Sequence, residues 1–362
     1  MKAVLAGGGT AGHVNPLLSV AQELRRRDPA VELVVLGTAQ GLESRLVPEA
    51  GLELVTLPKA AFPRRPGPAA LRFPRDFRRA VAVARGAIER LGADVVVGFG
   101  GYVATPAYLA AHRAGTPIVV HEANSRPGLA NRLGARWAGA VAVTFPETRL
   151  PGAIVTGLPL RPALAGLDRA AARAGALAEL GLEPGRPVLL VTGGSLGAQH
   201  LNETVAAVAA EVVAAGWQVL HLTGAGKAQA VRDGAPREHY HVLEYLDRME
   251  LAYAAADLVV CRSGAGTVAE LAAVGLPSVL VPLPIGNGEQ ALNGRGLVRA
   301  GGALMIEDHA FTPDWARADL LGLVRAPERL AQMAAAASGA GIRDGASRVA
   351  DLVERCARGA AA

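Results

Sequence analysis

The sequence predicts an α/β protein made of two doubly wound, Rossmann-like domains that face each other across a cleft. Short β-rich runs, many of them apolar at nearly every position, alternate with helical patterns along the whole chain, and they form two successive series. A Gly-rich turn follows the first run of each series. Such runs are typical of parallel strands covered by helices on both faces. With 362 residues, 51% of them hydrophobic, the chain is long enough for two cores.

The two series define the predicted domains. The first contains the runs KAVLAG, ELVVLG, LELVTL, DVVVGFG, PIVVHE, AVAVTF and AIVTG, and it ends at the connection GLPLRPALAG. The second contains PVLLVTGG, QVLHLTG, HVLEYL, LVVCRSG, SVLVPLP and ALMIE. We therefore predict a first domain over residues 1–160 and a second over 161–342. A C-terminal helix, at about 343–362, is expected to pack back on the first domain.

The first Gly-rich turn, GGGTAGHVNP, contains a Gly-x-Gly-x-x-Gly and leads into a helix. We expect that helix to begin with Asn15 as its N-cap and Pro16 at its first position. A dinucleotide site also needs an acidic residue at the end of the second strand, where this sequence reads VVLGTAQG. The missing carboxylate disfavours an NAD-type oxidoreductase, so the turn is predicted to hold another phosphate-bearing ligand.

His13 is the unusual residue of this turn. An isolated histidine at a turn often only packs or caps there. His13, however, follows a predicted strand at its carboxyl end, where side chains face the ligand, and imidazole suits a general base. His13 is therefore the predicted catalytic residue. Glu122, in HEAN, and Glu289 are competing candidates for the base, and either could equally be a hydrogen-bonded structural acid.

The second domain contains two further helix starts suited to an anion. The segment TGGSLGAQHLN offers Gly193, Gly194 and Ser195, and CRSGAGTVAELAAVG offers the backbone of residues 263–267. Glu270 lies one turn into the second of these helices. A carboxylate there either complements the helix dipole or accepts both hydroxyls of a ribose. The pattern favours a nucleotide-diphosphate site.

A basic segment over residues 59–85 interleaves apolar side chains with arginines and contains a single acid, Asp76. Residues 1–160 hold 19 Lys and Arg against 11 Asp and Glu, a net charge of +8, whereas residues 161–362 hold 18 against 21, a net charge of −3. Apolar side chains among cations can dock on anionic lipid, and the alternative is a solvated loop whose phenylalanines pack on the protein core. The predicted membrane contacts are Phe62, Leu71, Phe73, Phe77, Arg72 and Arg75. Nucleic acid is a disfavoured partner, because no binding motif for it accompanies the segment.

Several classes of protein are disfavoured by what the sequence lacks. No stretch approaches the roughly 18 apolar residues of a membrane span, and MKAVLA is too short for a signal sequence. Cys261 and Cys356 give neither a disulfide framework nor a metal-ligand spacing. The sequence contains no Asp-x-Asp that could hold a divalent metal beside a nucleotide diphosphate. We therefore expect no metal and no cofactor.

A series of segments, taken in order, resembles the MurG family of N-acetylglucosamine transferases. They are GGGTAGHVNP, GFGGYVATPAYLAA, HEANSRPGLANR, TGLPLRPAL, TGGSLGAQHLN, CRSGAGTVAELAAVGLPSVLVPLP and EQALNG, and they span essentially the whole chain. The resemblance implies a glycosyltransferase B fold and transfer of N-acetylglucosamine from UDP-GlcNAc to the 4-hydroxyl of undecaprenyl-pyrophosphoryl-MurNAc-pentapeptide. Because the sequence has no Asp-x-Asp, we expect this transfer to be metal-independent. It implies a peripheral enzyme at the cytoplasmic face of the cell membrane, with other cell-wall synthesis or division proteins as partners. We expect direct displacement with inversion, in which His13 takes the proton of the acceptor hydroxyl.

The resemblance also implies roles for matching residues. Thr10, Ala11 and Gly12 would approach donor and acceptor phosphates, Asn124 the sugar, and Arg161 and Ser195 the diphosphate. Leu246 would lie by the uracil, Ala265, Gly266, Thr267, Val268, Ala269 and Glu270 would surround diphosphate and ribose, and Gln290 would bind the sugar hydroxyls. Two positions depart from the family pattern, because Ala123 stands where Gln is common and Glu289 where His or Gln is usual.

Two alternatives remain beside this assignment. The first is another UDP-sugar enzyme of the same fold, either a glycolipid glycosyltransferase or a UDP-GlcNAc 2-epimerase, and an epimerase would not need the basic segment. The second is a non-catalytic sensor of nucleotide sugars. The histidine in the first Gly-rich turn disfavours that sensor.

Overall fold

The structure, a computed structural model, describes residues 1–59, 68–194, 197–285 and 287–359, with residues 68–70 described as backbone only. The N-terminal half contains β1 (Lys2–Ala6), α1 (Ala11–Arg27), β2 (Glu32–Gly37), α2 (Glu43–Glu49), β3 (Glu53–Thr56), α3 (Pro68–Leu91), β4 (Val95–Gly98), α4 (Gly101–Ala114), β5 (Ile118–Glu122), α5 (Leu129–Gly134), β6 (Ala140–Val143) and β7 (Ala153–Val155). The chain continues with α6 (Pro162–Ala165), α7 (Arg169–Glu179), β8 (Val188–Thr192), α8 (Gln199–Ala206), α9 (Ala209–Ala214), β9 (Gln218–Leu222), α10 (Ala228–Gly234), β10 (Tyr240–Leu243), α11 (Met249–Ala255), β11 (Leu258–Cys261), α12 (Ala265–Val274), β12 (Ser278–Leu280), α13 (Glu289–Arg299) and β13 (Ala303–Met305). It ends with a 3-10 turn (Asp308–Ala310), α14 (Pro313–Trp315), a π-helical turn (Ala316–Leu320), α15 (Leu321–Val324), α16 (Pro327–Ala340) and α17 (Gly345–Ala357).

The chain forms two compact units, each built on its own parallel sheet. The N-terminal unit comprises residues 1–162 and 343–362, and the C-terminal unit comprises residues 163–342. Over the described ranges, the strand orders are β3-β2-β1-β4-β5-β6-β7 and β10-β9-β8-β11-β12-β13. The strand order changes direction beside β1 and beside β8, as in doubly wound sheets, whose ligands bind at the carboxyl ends of the strands at this point. Each apolar run that the sequence analysis named contains a strand, so the predicted α/β class is confirmed.

The core of the N-terminal unit lies on both faces of its sheet. In β1, Ala3 and Leu5 pack on one face with α1 and α17, whereas Val4 and Ala6 pack on the other with α3 and α4. The α17 helix is tied to the end of α1 by Arg27, whose guanidinium lies within 2.7 Å of an Asp351 carboxylate oxygen and donates to Ser347. These contacts explain why the end of the chain belongs to the first compact unit.

The core of the C-terminal unit is mainly aliphatic. Side chains from its strands, among them Leu189, Val191, Val219 and Val260, pack against helices α8, α9, α15 and α16. The indole N–H of Trp217 donates to the Val324 carbonyl at 3.0 Å, which satisfies its polar edge inside this core. The sheet therefore presents rigid strand ends to the loops that carry the site.

The start of α1 differs from its prediction. Asn15 and Pro16 were expected at the N-cap and first helical position, but the helix begins at Ala11 with Thr10 as its N-cap residue. The prediction is wrong because the Thr10 carbonyl already accepts the N–H groups of His13 and Val14, each at 3.1 Å, and closes the first turn. His13 consequently lies inside the first turn of the helix.

Candidate active site

Three loops of the N-terminal unit meet at the carboxyl ends of neighbouring strands. Residues 7–10 follow β1, residues 99–100 follow β4 and residues 123–128 follow β5. Because the sheet order is β1-β4-β5, these loops are adjacent. The loops contain the predicted residues Thr10 and Asn124, and the first turn of α1, directly after the first loop, contains Ala11, Gly12 and His13. The first Gly-rich turn and HEAN, far apart in the sequence, therefore share one edge of the sheet.

His13 is half-buried, and its Nδ1 atom is held by the turn that precedes it. Nδ1 lies 3.2 Å from the Gly8 carbonyl oxygen and 3.3 Å from Thr10 Oγ1. A carbonyl oxygen can only accept, so the hydrogen bond to Gly8 requires the proton on Nδ1. In the neutral ring the lone pair is then on Nε2. The geometry thus presents His13 in the tautomer that can accept a proton at Nε2.

The turn after β4 packs directly on this imidazole. Gly100 and Gly101 have φ angles of +98° and +74°, which favour glycine. A Cβ added at Gly100 would lie 3.1 Å from Nε2 of His13, and one at Gly101 would lie 2.8 Å from the Gly8 carbonyl oxygen. The two glycines therefore allow the backbone to approach the ring and its hydrogen-bond acceptor closely.

Glu122 is enclosed by donors from its own loop. Its Oε1 accepts the N–H of Asn124 at 2.9 Å, and its Oε2 accepts the N–H of Gly128 at 2.9 Å and the Asn131 amide at 3.0 Å. Asn131 in turn accepts the hydroxyl of the buried Tyr108 at 2.7 Å. This network favours the structural interpretation of Glu122, in which the carboxylate shapes the HEAN loop and positions Asn124.

His121 does not compete with His13 as a base. Its side chain is fully buried beside Phe99, with ring centroids 5.7 Å apart. Burial, with a smaller contribution from the nearby His13, lowers the pKa of His121 to about 4. His121 is therefore neutral at physiological pH and packs as an apolar ring beneath the site.

In the C-terminal unit, α12 begins at Ala265 after the N-cap residue Gly264, at the carboxyl end of β11. Glu270 lies on this helix, and its Oε2 accepts the hydroxyl of the buried Tyr253 at 2.8 Å. Burial and, to a smaller extent, the charge of Glu270 raise the pKa of Cys261 to about 12, so that this thiol is not a nucleophile. Val268 is buried in the core, so it can contact a ligand only through its backbone.

The loop before α8 is held by a buried polar chain. Tyr240 donates its hydroxyl to Nδ1 of His221 at 2.7 Å, and Nε2 of His221 lies 3.0 Å from Asn202 Oδ1. Asn202 donates to the Thr223 carbonyl at 3.0 Å, and a Cβ added at Gly197 would lie 2.0 Å from that same oxygen. Gly193 and Gly194 precede α8 as predicted, whereas Ser195 lies outside the described residues.

The remaining predicted donor-binding residues lie on other segments of the chain. Gln290 is the second residue of α13, and its Oε1 accepts the N–H of Leu283 at 3.0 Å. Glu289 begins the same helix. Leu246 is partly buried between β10 and α11, and Arg161 lies at the end of the N-terminal unit. The structure thus brings the glycines before α8, the start of α12 and Gln290 to the carboxyl ends of adjacent strands.

The basic segment is partly described. Leu71 is 85% exposed and Arg72 and Arg75 are exposed, whereas Phe73 and Phe77 stack on each other with centroids 5.5 Å apart and pack in part on the core. The two phenylalanines border a surface pocket of about 490 Å³ that is also lined by Val81 and Leu109 and by the arginines Arg78, Arg85 and Arg113. Phe62 lies outside the described residues. The segment therefore combines exposed apolar surface with a rim of cations.

The described part of the chain contains neither a membrane-spanning helix nor a metal-binding cluster. No helix there is sufficiently long and apolar to cross a membrane. No group of three or more His, Cys, Asp or Glu side chains among those residues is arranged to hold a metal ion.

Family models match both units. The glycosyltransferase family 28 N-terminal domain matches residues 3–143, and the glycosyltransferase family 28 C-terminal domain matches residues 188–349. The chain belongs to glycosyltransferase family 28. It is therefore a glycosyltransferase, with the two α/β domains of the B-type fold.

Curated relatives of this family-28 enzyme match along nearly its whole length. A protein of Clavibacter michiganensis subsp. michiganensis is 60% identical over 97% of this chain and 95% of its own. A protein of Streptomyces coelicolor is 52% identical over 95% of each chain. Both are named UDP-N-acetylglucosamine–N-acetylmuramyl-(pentapeptide) pyrophosphoryl-undecaprenol N-acetylglucosamine transferase. The resemblance to the MurG family is confirmed.

Solved structures agree with this assignment. The crystal structure of Acinetobacter baumannii MurG superposes with a TM-score of 0.79 at 29% identity and covers 98% of this chain and 99% of that one. UDP-GlcNAc 2-epimerase from Neisseria meningitidis, bound to UDP-GlcNAc, gives a TM-score of 0.70 at 15% identity, with 98% and 100% coverage. At that identity the epimerase shares the fold alone.

Sequence reasoning missed the partners that hold the candidate residues. Tyr253 and Glu270 are 17 positions apart, and Tyr108 and Asn131 are 23 apart, so no local motif connects either pair. Glu43, which bonds the first Gly-rich turn from 34 positions away, was also missed. The available signal was an acidic residue directly after a glycine-containing turn, GTAQGLE, which on its own indicates no partner.

Proposed function

We propose that this glycosyltransferase transfers N-acetylglucosamine from UDP-GlcNAc to the 4-hydroxyl of the muramyl residue in undecaprenyl-pyrophosphoryl-MurNAc-pentapeptide, a step of peptidoglycan synthesis. The observation that carries the proposal is the full-length similarity, up to 60% identity, to transferases named for this reaction. The positions of the Gly-rich turns and of His13 support it. The epimerase alternative has support from the fold alone.

In the proposed reaction, His13 activates the acceptor. The acceptor oxygen attacks the anomeric carbon of GlcNAc, the bond from that carbon to the UDP oxygen breaks, and the electron pair leaves with UDP. The proton of the hydroxyl passes to Nε2 of His13, while the Gly8 carbonyl continues to hold Nδ1–H. Attack from the face opposite UDP inverts the configuration. A positioned base of this kind contributes about 10²–10⁴ in rate.

The C-terminal unit is proposed to hold UDP-GlcNAc. The N-terminal amides of α12, around Ala265, Gly266 and Thr267, would receive the diphosphate, because a helix N-terminus attracts negative charge. Glu270, held by Tyr253, would accept the ribose hydroxyls. The NH₂ group of Gln290 is oriented by the bond of its Oε1 to Leu283 and would donate to a sugar hydroxyl.

Leu246 at the uracil, and Val268 and Ala269 on the backbone of α12, complete the proposed donor contacts of this unit. Asn124, in the HEAN loop of the N-terminal unit, would approach the sugar, and Arg161 the diphosphate. Charge on the departing UDP would be stabilised by these amides and side chains, so that transfer would need no divalent metal.

The acceptor carries a lipid, and we propose that the enzyme docks as a peripheral protein on the anionic, cytoplasmic surface of the cell membrane. Leu71, Phe73 and Phe77 would enter the interface, and Arg72 and Arg75 would contact lipid phosphates. Each such cation near an anionic surface is worth about 1 kcal/mol. Phe73→Ser with Phe77→Ser should weaken sedimentation with anionic vesicles, whereas Ile154→Ser, on the edge strand β7, should not. Binding that ignores both the double variant and the anionic lipid content would refute this docking mode.

The reaction is tested by incubating the enzyme with labelled UDP-GlcNAc and the lipid-linked muramyl-pentapeptide, with and without a chelator. We expect a lipid-linked disaccharide that forms equally in both arms. Epimerised UDP-sugar, or free GlcNAc without a lipid product, would contradict the proposed transfer. Loss of the product in the chelator arm alone would contradict only its metal independence.

A further inference from the structure

Glu43 is a buried acid beside the first Gly-rich turn. It is the first residue of α2, and its side chain is 0% exposed. Oε1 accepts the backbone N–H of Thr38 at 2.9 Å and the Thr38 hydroxyl at 2.7 Å, and Oε2 accepts the N–H of Gly9 at 2.9 Å. Burial raises the pKa of the Glu43 carboxyl, but these hydrogen bonds outweigh it and the net shift is downward. Glu43 is therefore an anion at neutral pH.

Three glycines from two separate segments of the N-terminal unit make room for this carboxylate. A Cβ added at Gly8 would lie 2.4 Å from Glu43 Oε1, one at Gly37 would lie 2.6 Å from its Cγ, and one at Gly41 would lie 2.1 Å from Oε2. Gly41 and Gly37 belong to the approach to α2, but Gly8 belongs to the turn after β1. An acid that only completed the N-terminus of α2 would not need contact with that turn.

The same turn holds His13 on its other side. The Gly8 carbonyl oxygen lies 3.2 Å from His13 Nδ1, while the Gly9 N–H points to Glu43. The peptide bond between Gly8 and Gly9 is thus fixed between a carboxylate and an imidazole. Its orientation decides whether the Gly8 carbonyl faces Nδ1, and that carbonyl selects the Nδ1–H tautomer.

We propose that Glu43 is a positioning residue for His13: its carboxylate fixes the peptide bond between Gly8 and Gly9, which keeps the proton of the neutral imidazole on Nδ1 and leaves Nε2 to accept the proton of the substrate hydroxyl. The catalytic consequence rests on the proposed function, whereas the effect on the tautomer does not. The competing interpretation is that Glu43 only stabilises α2, which predicts a loss of stability without any change at His13.

Two variants break the contact by different routes. In Glu43→Gln the amide oxygen is retained by the two donors of Thr38, so the NH₂ group faces the Gly9 N–H and that hydrogen bond is lost. In Gly41→Ala the charge is kept, but the new methyl displaces the carboxylate. The matched control is Glu23→Gln, which removes a carboxylate from α1 that is paired with Arg26 and Arg27 and has no contact with the turn.

The test combines ¹⁵N NMR of the His13 ring with steady-state kinetics on the full chain. Wild type and Glu23→Gln should show the Nδ1–H pattern for the neutral ring, and Glu43→Gln and Gly41→Ala should shift toward Nε2–H. We expect kcat to fall about 10–100-fold in those two variants. The KM for UDP-GlcNAc should stay within about twofold, because the proposed donor contacts lie mainly on the C-terminal unit.

The outcomes separate the two proposals. Folded Glu43→Gln or Gly41→Ala protein with the wild-type tautomer would overturn the role of Glu43, whatever its kcat. A shifted tautomer with an unchanged kcat would refute the catalytic consequence and leave only the effect of Glu43 on the tautomer. If Glu43→Gln does not fold, Gly41→Ala decides alone. A wild-type enzyme that makes no lipid-linked disaccharide would refute the proposed function, and the NMR comparison would still decide whether Glu43 sets the tautomer.

Discussion

Replacing Tyr253 by Phe tests the proposed ribose site by removing a single hydroxyl group. The hydroxyl is buried and donates to Glu270 at 2.8 Å, and Phe would keep the ring in place without opening a cavity. A hydrogen bond to a charged group contributes about 1.5–3 kcal/mol. Only part of this free energy affects donor binding, because water can donate to the partly exposed Glu270 in place of the missing hydroxyl. We therefore expect donor binding to weaken by about 1–2 kcal/mol, or roughly 5–30-fold.

Calorimetric titration with UDP and with 2′-deoxy-UDP measures this effect. If Tyr253 orients Glu270 toward the ribose hydroxyls, the variant should lose affinity for UDP. It should lose much less affinity for the deoxy analogue, which lacks the 2′-hydroxyl that would donate to Glu270. Tyr108→Phe is the matched control, because its buried hydroxyl donates at 2.7 Å to Asn131 in the other unit. Equal losses for both nucleotides, or no loss for either, would refute the assignment of Glu270 to the ribose.

Three further predictions concern the N-terminal unit. Arg27→Ala should lower the free energy of unfolding by about 1–3 kcal/mol in urea titrations, because it unties α17 from α1; an unchanged midpoint would show that the apolar contacts of α17 suffice. Hydrogen bonds from Arg26, and then Arg27, lower the pKa of Glu23 to about 2 from 4.5. A lowered carboxyl pKa stabilises the fold fully above pH 4.5, and that stabilisation is lost as the pH falls toward 2. The difference in unfolding free energy between wild type and Glu23→Gln should therefore shrink as the pH falls from 4.5 toward 2. A difference that stays constant with pH would contradict the lowered pKa of Glu23. Gly98→Ala would place a methyl 2.1 Å from the Tyr108 hydroxyl and should cost about 1–3 kcal/mol in thermal unfolding, whereas an unchanged Tm would show that the ring moves freely.

The strands could be predicted from the sequence because the sheets are parallel and buried. A strand covered on both faces, such as VLLVT at Val188–Thr192, is apolar at every position but its last, and this pattern can be recognised without knowledge of the neighbouring strands. The Gly-rich turns were equally visible, because close backbone approach and positive φ angles require glycine. Gly100 and Gly194, with φ angles of +98° and +81°, are examples.

The helix boundary and the supporting contacts could not be predicted, because they depend on tertiary packing. Asn15 and Pro16 have strong local preferences, yet the Thr10 carbonyl closes the helix one turn earlier. The tautomer of His13 depends on the Gly8 carbonyl, and the orientation of that carbonyl depends in turn on Glu43, which belongs to another element. Sequence patterns identify residues with reactive side chains, whereas the contacts that orient them come from distant parts of the chain.

The most direct test of His13 as the catalytic base is to replace it by Asn and to measure turnover and donor affinity on the same preparation. Asn can keep a donor toward the Gly8 carbonyl but has no basic nitrogen at the position of Nε2. If His13 is the base, kcat for the lipid-linked disaccharide should fall about 10²–10⁴-fold, while the Kd for UDP-GlcNAc stays within about twofold. A variant that binds donor normally and retains nearly full turnover would contradict the assignment of the base to His13.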